Sequence, residues 1–491
     1  MKKTILILIA TVTSMLSLSQ SNPLSMATTV QQMASWDRYP TFSVYCDMMK
    51  NFANDNPDFC HLDTIGYSHV GNRPILGLVI TNNITANDNK PRFFWSSTMH
   101  GDELTGWILS MRFADELLSK YNSNDQIKNL MNNAVIYICP MANPDGTYYK
   151  SSEGITVETA RRENANGIDL NRNFPRPDEQ TVTMQSEIQC MIDYASKQNF
   201  TMSANLHTGA EVVNYPWDVA KNVIEQAHAD DNWWQYVSHI YADNVINDGH
   251  NGYFGSSQFN NGITEGREWY PIDGSRQDYM NYFQHCREVT IEISNIKSPN
   301  SEKLPDYWEY NRQAMLDYTE QVIYGFRGIV TDQHSGNPIS DVKVEIVGHD
   351  YNKSEVYTFA PLGNYFRPIY EGSYQVTFSK AGCVSQTIPI TVTNNNYTIA
   401  NIQLSCETDI TNHTLEKDIK IYPNPTNGIF SIESEYKIEN IEIFNTVGIK
   451  LFSKNINNNS LKLDLSNFAK GQYFIIIKLD EYQKVEKIIV N

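Results

Sequence analysis

A chain of 491 residues is too long for one ordinary hydrophobic core, so two to four domains are expected. Its hydrophobic fraction of 41% is that of a soluble globular protein and excludes wholesale disorder. With 56 acidic side chains against 38 basic ones the net charge is −18, which argues against a nucleic-acid partner, because neutralising phosphates needs Lys and Arg in excess.

At the N-terminus Lys2 and Lys3 precede an apolar run over 5–18, followed by Gln20 and Ser21. A charged start before a hydrophobic stretch too short to span a bilayer predicts a secretory signal peptide over 1–21. No later stretch approaches spanning length, so no transmembrane segment is expected. Export permits disulfides. Seven cysteines leave at least one thiol unpaired; Cys46 and Cys60 are the closest pair along the chain. No Cys-x-x-Cys motif occurs, so a thiolate zinc site is not indicated.

Residues 33–326 alternate between strand and helix patterns, with strands over 75–81, 92–99 and 134–139 and a helix over 104–121. This predicts an α/β domain with a mixed, mostly parallel central sheet flanked by helices. Near Gly325 the pattern changes to short alternating strands at 328–331, 342–347 and 374–378, separated by turns such as Ser335-Gly336-Asn337-Pro338. That is a small β-sandwich. A polar linker over 407–417 leads to a second β-rich segment, with a turn at Pro423-Asn424-Pro425-Thr426-Asn427-Gly428 and strands at 473–479 and 485–490. The expected division is a signal peptide over 1–21, an α/β domain over 22–325, β-sandwiches over 326–406 and 418–491, and the linker between them.

Several residues in the α/β domain carry chemistry. His100 follows the strand at 92–99 and Glu103 stands three positions on, an offset that a helical turn brings to one face. A strand over 200–206 ends in His207. Two imidazoles and a carboxylate, with a fourth position left for water, match catalytic rather than structural zinc. Each histidine taken singly could equally be an ordinary junction residue. In the run Gly167-Ile168-Asp169-Leu170-Asn171-Arg172-Asn173-Phe174-Pro175, Asn171 and Arg172 offer a donor fork for a carboxylate, and Asp169 could accept the second N–H of a zinc-bound histidine. The alternative is a polar surface loop with an Arg salt bridge. Glu292 interrupts the apolar strand at 289–293, and a carboxylate buried there without a partner is a candidate general base. The alternative is a solvated Glu on an edge strand.

These residues resemble the zinc carboxypeptidase family, in its N/E or regulatory branch. The matching segments are His100-Gly101-Asp102-Glu103, Arg162-Glu163-Asn164, the 167–175 run, Asn205-Leu206-His207, Asn261-Gly262-Ile263-Thr264, Trp269-Tyr270-Pro271, Gln277-Asp278-Tyr279 and Val289-Thr290-Ile291-Glu292-Ile293-Ser294, in family order. The resemblance implies one Zn2+ per chain on His100, Glu103 and His207, with Glu292 as proton acceptor and donor. It implies that Arg162 stabilises the oxyanion, that Asn171 and Arg172 hold the substrate's terminal carboxylate, and that Tyr270 closes over the substrate. Tyr279 is similar by motif, but its spacing to Glu292 is wrong for that role. Asp218 and Gln277 fall where relatives that trim C-terminal Lys or Arg line the side-chain pocket, so basic C-terminal residues are the expected preference.

The 326–406 segment looks like the transthyretin-like domain of that branch. The last segment resembles the C-terminal sorting domain of the type IX secretion system, through Ile421-Tyr422-Pro423-Asn424-Pro425, Ile443-Phe444-Asn445, Gly448 and Gly471-Gln472-Tyr473. The implied partners are peptide or protein C-termini and the type IX machinery. The implied location is the cell surface or medium, reached through the periplasm of a Gram-negative bacterium. Competing expectations are a cell-wall peptide hydrolase or N-acyl amino acid deacylase on the same scaffold, or a non-catalytic surface adhesin.

Overall fold

The computed structural model describes residues 24–84, 89–248, 252–406, 419–445, 449–479 and 483–491. The signal peptide expected over 1–21 and the linker expected over 407–417 lie outside the described residues. The chain divides into two compact units between Cys406 and Glu407. Among the described residues no helix is long and apolar enough to cross a membrane.

An eight-stranded sheet organises the first unit. Its strands are β1 (Cys60–Tyr67), β2 (Pro74–Ile80), β3 (Arg92–Ser97), β4 (Val135–Cys139), β5 (Met202–His207), β6 (Ala210–Tyr215), β7 (Ile263–Glu265) and β8 (Arg287–Ser294), in the order β1-β2-β4-β3-β5-β8-β6-β7. The central strands β4, β3, β5 and β8 are parallel to one another, and antiparallel pairs join β1 to β2, β2 to β4 and β8 to β6. Every residue of β5 and β8 is buried. Both nevertheless alternate apolar with polar residues, Ser203, Asn205 and His207 on β5 and Glu288, Thr290 and Glu292 on β8, so one face of each strand carries polar side chains inside the fold. One face packs Trp95, Leu206 and Ile291 against Trp107, Leu109 and Tyr318 of the helices above it. The other packs Phe94 and Tyr137 against Met191, Tyr194 and Phe200.

Helix α1 (Thr105–Lys120) starts where β3 and β5 end. Gly106 allows that approach, because a Cβ there would lie 2.3 Å from Ser97 Oγ and 2.8 Å from Leu206 Cβ. The parallel strands therefore deliver their C-terminal ends and the helix start to one place, which is where sites gather in open α/β sheets.

The next 80 or so residues form two small sheets. Strands β9 (Gly325–Asp332), β10 (Lys343–Ile346), β11 (Val356–Tyr357), β12 (Asn364–Arg367), β13 (Gly372–Ser379), β14 (Gln386–Val392), β15 (Tyr397–Ile399) and β16 (Ile402–Leu404) make them. One holds β12-β9-β15 with β16 also on β9, and the other holds β11-β10-β13-β14. They share a core of Phe326, Val344, Tyr365, Phe378 and Ile402. A disulfide joins Cys383 to Cys406. Cys46 and Cys60 stay thiols. The helix Phe42–Asp55 carries Cys46 roughly 14 Å of helical rise before its end, so closeness along the chain does not bring the two together.

A buried charge cluster ties this sandwich to the large sheet. Asp230, which precedes the helix Asp231–Asn247, accepts from Arg287 Nη2 at 2.9 Å and from Arg367 at 2.6 and 2.8 Å. Arg367 also reaches Asp350 at 2.6 Å, and His349 Nε2 lies 2.8 Å from Asp230. Burial alone would raise the Asp230 pKa; Arg367 and Arg287 overcome it and hold the carboxyl well below the usual range. Arg287 is the first residue of β8, so the sandwich braces the strand that carries Glu292 at its far end.

In the second unit β17 (Ile419–Tyr422), β18 (Ile429–Asn445), β19 (Lys450–Asp464), β20 (Gly471–Leu479) and β21 (Gln483–Val490) pair antiparallel throughout. The first half of β18 pairs with β17 and its second half with β20, with a register shift between Glu433 and Ile438. A long strand that passes from one set of neighbours to another is how small β-layers turn over a shared core. Here that core holds Ile432, Ile441, Ile443, Ile475 and Ile488.

Next to the charge cluster, His228 is enclosed by Trp217 and Trp234, and burial pushes its pKa down to about 3 against the pull of Asp230. The unfolded chain takes up this proton near pH 6.5 and the folded chain does not. His228 therefore lowers stability as pH falls from about 6.5 towards 3, by about 1.4 kcal/mol per pH unit well inside that window. Denaturant unfolding between pH 7 and 5 should show this slope reduced in His228→Asn, which keeps an acceptor for the Asp230 N–H; equal slopes would contradict it.

Candidate active site

His100, Glu103 and His207 meet at the C-terminal ends of β3 and β5. His100 Nδ1 lies 2.9 Å from Glu103 Oε1, His207 Nδ1 2.9 Å from Glu103 Oε2, and the two Nδ1 atoms 3.1 Å apart. All three side chains are buried. β3 ends at Ser97 rather than 99, and Thr98 takes a positive φ of 54°. His100 and Glu103 then sit in a turn, closed by Glu103 N–H donating to the His100 carbonyl at 3.1 Å, ahead of α1 rather than on it. The three-residue offset still brings the side chains together, because this turn has the i to i+3 geometry of a helix start.

Two imidazole nitrogens and a carboxylate face one small volume. Burial alone would lower the His100 pKa, but the Glu103 charge and the bonds to Asp169 and Glu103 pull it up to about 9, whereas burial pushes His207 down. A cation in the shared space would be held by all three groups. Ligand–ligand separations around a tetrahedral zinc are ~3.3 Å for bonds of ~2.0–2.1 Å. The observed 2.9–3.1 Å set is close to that and consists of nitrogen and oxygen donors, so these residues fit a zinc ion.

The outer nitrogens are held as ligands require. Asp169 Oδ1 lies 3.0 Å from His100 Nε2 and so orients that ring. Burial opposes ionisation of Asp169, but the bond to His100 and the charges of His100, Arg162 and Arg172 hold its pKa well below the usual range. The Asn205 amide stands 2.6 Å from His207 Nε2. With its oxygen turned to the ring it accepts the Nε2–H, while its NH2 faces Ser96 Oγ, 2.9 Å away across the existing contact. Arg162 donates to Asp169 Oδ2 at 2.9 Å, and its Nη1 comes within 3.3 Å of Glu103.

Glu292 is in register with His207 across β5 and β8 and with Val212 across β8 and β6. Its strand is therefore interior, and the solvated edge-strand alternative does not hold. Among the described residues its Oε2 has no hydrogen-bond partner. Burial first, and the Glu103 charge second, push its pKa up to about 8.

A cavity of about 150 Å3 opens beside these groups, and its lining includes His100, Glu103, His207, Glu292 and Arg162. Asn171, Arg172, Asp218 and Tyr270 line the rest. Arg172 Nη1 donates to the Asn171 carbonyl at 2.9 Å, and among the described residues no carboxylate forms an ion pair with Arg172. The surface-loop alternative for this run therefore fails too. Tyr270 is 41% exposed and leans on Trp269, whereas Tyr279 is buried between Phe174 and Phe283 and stays outside the cavity. Asp218 is buried; its Oδ1 accepts from Asn214 at 3.0 Å and from Gln277 at 3.1 Å, and among the described residues its Oδ2 makes no hydrogen bond of ordinary geometry. Burial raises its pKa.

Gln277 differs from expectation. It does not line the cavity but stands behind Asp218, its Oε1 accepting from Thr290 N–H at 2.7 Å. Three contributors escaped the sequence reading as site residues. Asn205 lies two positions before His207, on the same face of β5, an offset that could have signalled it. Asp278 accepts from the Asp218 and Val219 N–H groups at 2.9 and 2.8 Å and so fixes the Asp218 loop. Lys297 puts Nζ 3.1 Å from Asp102 and 3.6 Å from Glu103.

Residues 45–314 match the family described as zinc carboxypeptidase, 325–405 the carboxypeptidase regulatory-like domain, and 420–491 the secretion system C-terminal sorting domain. Carboxypeptidase M of Mus musculus is 33% identical over 354 residues, covering 70% of this chain and 78% of that protein. Carboxypeptidase D of Homo sapiens is 31% identical over 375 residues, covering 74% of this chain and 26% of that protein, so the chain spans about a quarter of that relative's length. A crystal structure of thrombin activatable fibrinolysis inhibitor superposes with a TM-score of 0.51 at 14% identity, over 60% of this chain and 77% of that one, which shows a shared fold.

Proposed function

The chain belongs to the zinc carboxypeptidase family, and from that premise we propose that it hydrolyses the C-terminal peptide bond of peptides and proteins, with a preference for terminal Lys or Arg. The observation that carries this reading is the convergence of His100, Glu103 and His207 beside a buried Glu292 oxygen and an Arg172 that, among the described residues, have respectively no hydrogen-bond partner and no carboxylate partner.

His100, Glu103 and His207 would hold one zinc ion per chain, which when bound would supply Lewis acidity towards the scissile carbonyl and water. Glu292 takes the proton of the attacking water at its free Oε2 and delivers it to the leaving amine nitrogen; the raised pKa suits a group that must both accept and give. Arg162, anchored by Asp169, faces the oxygen on which negative charge develops. Arg172 and Asn171 receive the terminal carboxylate, a group that only a chain end supplies, and so confine cleavage to the last bond. Tyr270 covers the bound residue from the rim. Gln277 and Asn214 occupy one oxygen of Asp218 and leave the other for a cationic side chain, which would also favour the ionised carboxylate that burial disfavours.

The match over 420–491 supports a secreted or surface-bound bacterial protein. We place its route through the periplasm of a Gram-negative cell, with the type IX machinery as export partner. The 326–406 sandwich acts as the brace for β8.

The purified chain should carry one zinc, as metal analysis will read. Glu292→Gln should keep the ion and lose ~10²–10⁴-fold in kcat, because a base is removed and no ligand. His207→Ala should lose both ion and activity. Normal turnover in Glu292→Gln would overturn the base assignment. On peptides differing only in the last residue, kcat/KM for Lys or Arg should exceed that for Phe or Leu, and Asp218→Asn should shrink the difference by about tenfold or more. Faster cleavage of Phe or Leu by the unmodified protein would sink the basic preference and leave the zinc reading intact.

A further inference from the structure

The charged side chains that line the cavity are Glu103, Arg162, Arg172, Asp218, Glu292 and Lys297. The carboxypeptidase reading gives each of them a task except Lys297. Its side chain is 41% exposed, whereas Glu103 beside it is buried. The ammonium therefore stands at the mouth of the cavity, next to the ligand set. Its Nζ lies 3.1 and 3.4 Å from the two oxygens of Asp102 and 3.6 Å from Glu103 Oε1. An ammonium carries three N–H donors. A pair with a partly exposed carboxylate such as Asp102 is weak, so a second carboxylate can join or replace it.

The backbone at Lys297 is fixed to both ligand-bearing segments. Its carbonyl accepts from the Leu104 N–H at 2.9 Å, next to Glu103, and from Thr208 Oγ1 at 3.4 Å, next to His207. Ser298 Oγ donates to the Asp102 carbonyl at 2.8 Å. The stem is thus held in place while the charged head reaches the mouth, which is the arrangement of a preorganised contact.

Contacts along the cavity wall order its two ends. The Asn171 N–H donates to Asp169 Oδ1 at 2.9 Å, and that oxygen lies 3.0 Å from His100 Nε2. His100 Nδ1 lies 2.9 Å from Glu103 Oε1, the oxygen that Lys297 faces. The ligand set therefore stands between the Asn171–Arg172 end and Lys297. A peptide whose terminal carboxylate meets Arg172 and whose scissile carbonyl meets the ligand set carries its penultimate side chain on the Lys297 side.

Resting on the carboxypeptidase reading, we infer that Lys297 is a specificity residue for the penultimate position, and that the enzyme favours peptides with an acidic side chain there. An ammonium binds a carboxylate more strongly than a neutral amide of the same shape. At a half-exposed site the gain is about threefold to fivefold in rate.

The test uses the full-length zinc-loaded protein and N-acetylated peptides that end in Lys and carry Glu or Gln at the penultimate position. Glu should exceed Gln in kcat/KM by about threefold to fivefold at low salt, and the ratio should shrink in about 0.5 M salt. Lys297→Met should bring the ratio to near one, whatever it does to both rates in common, and Lys297→Arg should keep it. A ratio near one in the unmodified protein would overturn the inference, even if Lys297→Met slowed both peptides, because that pattern marks a contact to the peptide backbone. A ratio unaltered in Lys297→Met would overturn it too. Peptide affinities measured on Glu292→Gln read the same ratio without turnover. Absence of hydrolysis would then sink the carboxypeptidase reading, while the affinity ratio still decides this one.

Discussion

A buried carboxylate held between two imidazole nitrogens is the constraint to which the rest of the molecule answers. The two oxygens of Glu103 each lie 2.9 Å from one imidazole Nδ1, and the two Nδ1 atoms stand 3.1 Å apart, so three groups of metal-ligand type crowd one small volume. The Arg162 and Lys297 cations stand 3.3 and 3.6 Å from the Glu103 carboxylate. Such an arrangement is expensive to bury for structural reasons only. It becomes economical when a divalent cation is held by the three groups.

The scaffold serves that point from several directions. Parallel strands bring His100 and His207 to the same end of the sheet, and Gly106 lets α1 start against Ser97 and Leu206, at the ends of the two strands. Hydrogen bonds to Asp169 and, after the amide turns, Asn205 select the ring nitrogens that face inward. β8 carries Glu292 past them in fixed register, and the Arg287–Asp230–Arg367 cluster anchors that strand's first residue to the following sandwich. The sandwich is thus linked to the site through a strand, and among the described residues none of its side chains lines the cavity.

Much of this was legible in the residues. Strands end where His100 and His207 follow them, and a lone Glu in an apolar run is conspicuous, so the main chemistry could be read from local pattern. Other features depend on partners far apart in sequence. Asp230 and Arg367 have no signal in common until the fold joins them, and seven cysteines do not reveal that Cys383 pairs with Cys406. Gln277 carried the right motif, but only packing decides that it stands behind Asp218 instead of facing the cavity. The turn at His100 replaced the expected helical start because the backbone must reverse out of β3 at Thr98 before α1 begins.

X-ray absorption at the zinc edge, on the purified protein, tests the shared ligand set most directly. The account predicts scattering from two imidazoles and oxygen donors at ~2.0–2.1 Å. A sulfur shell at ~2.3 Å, or a spectrum without imidazole scattering, would contradict it.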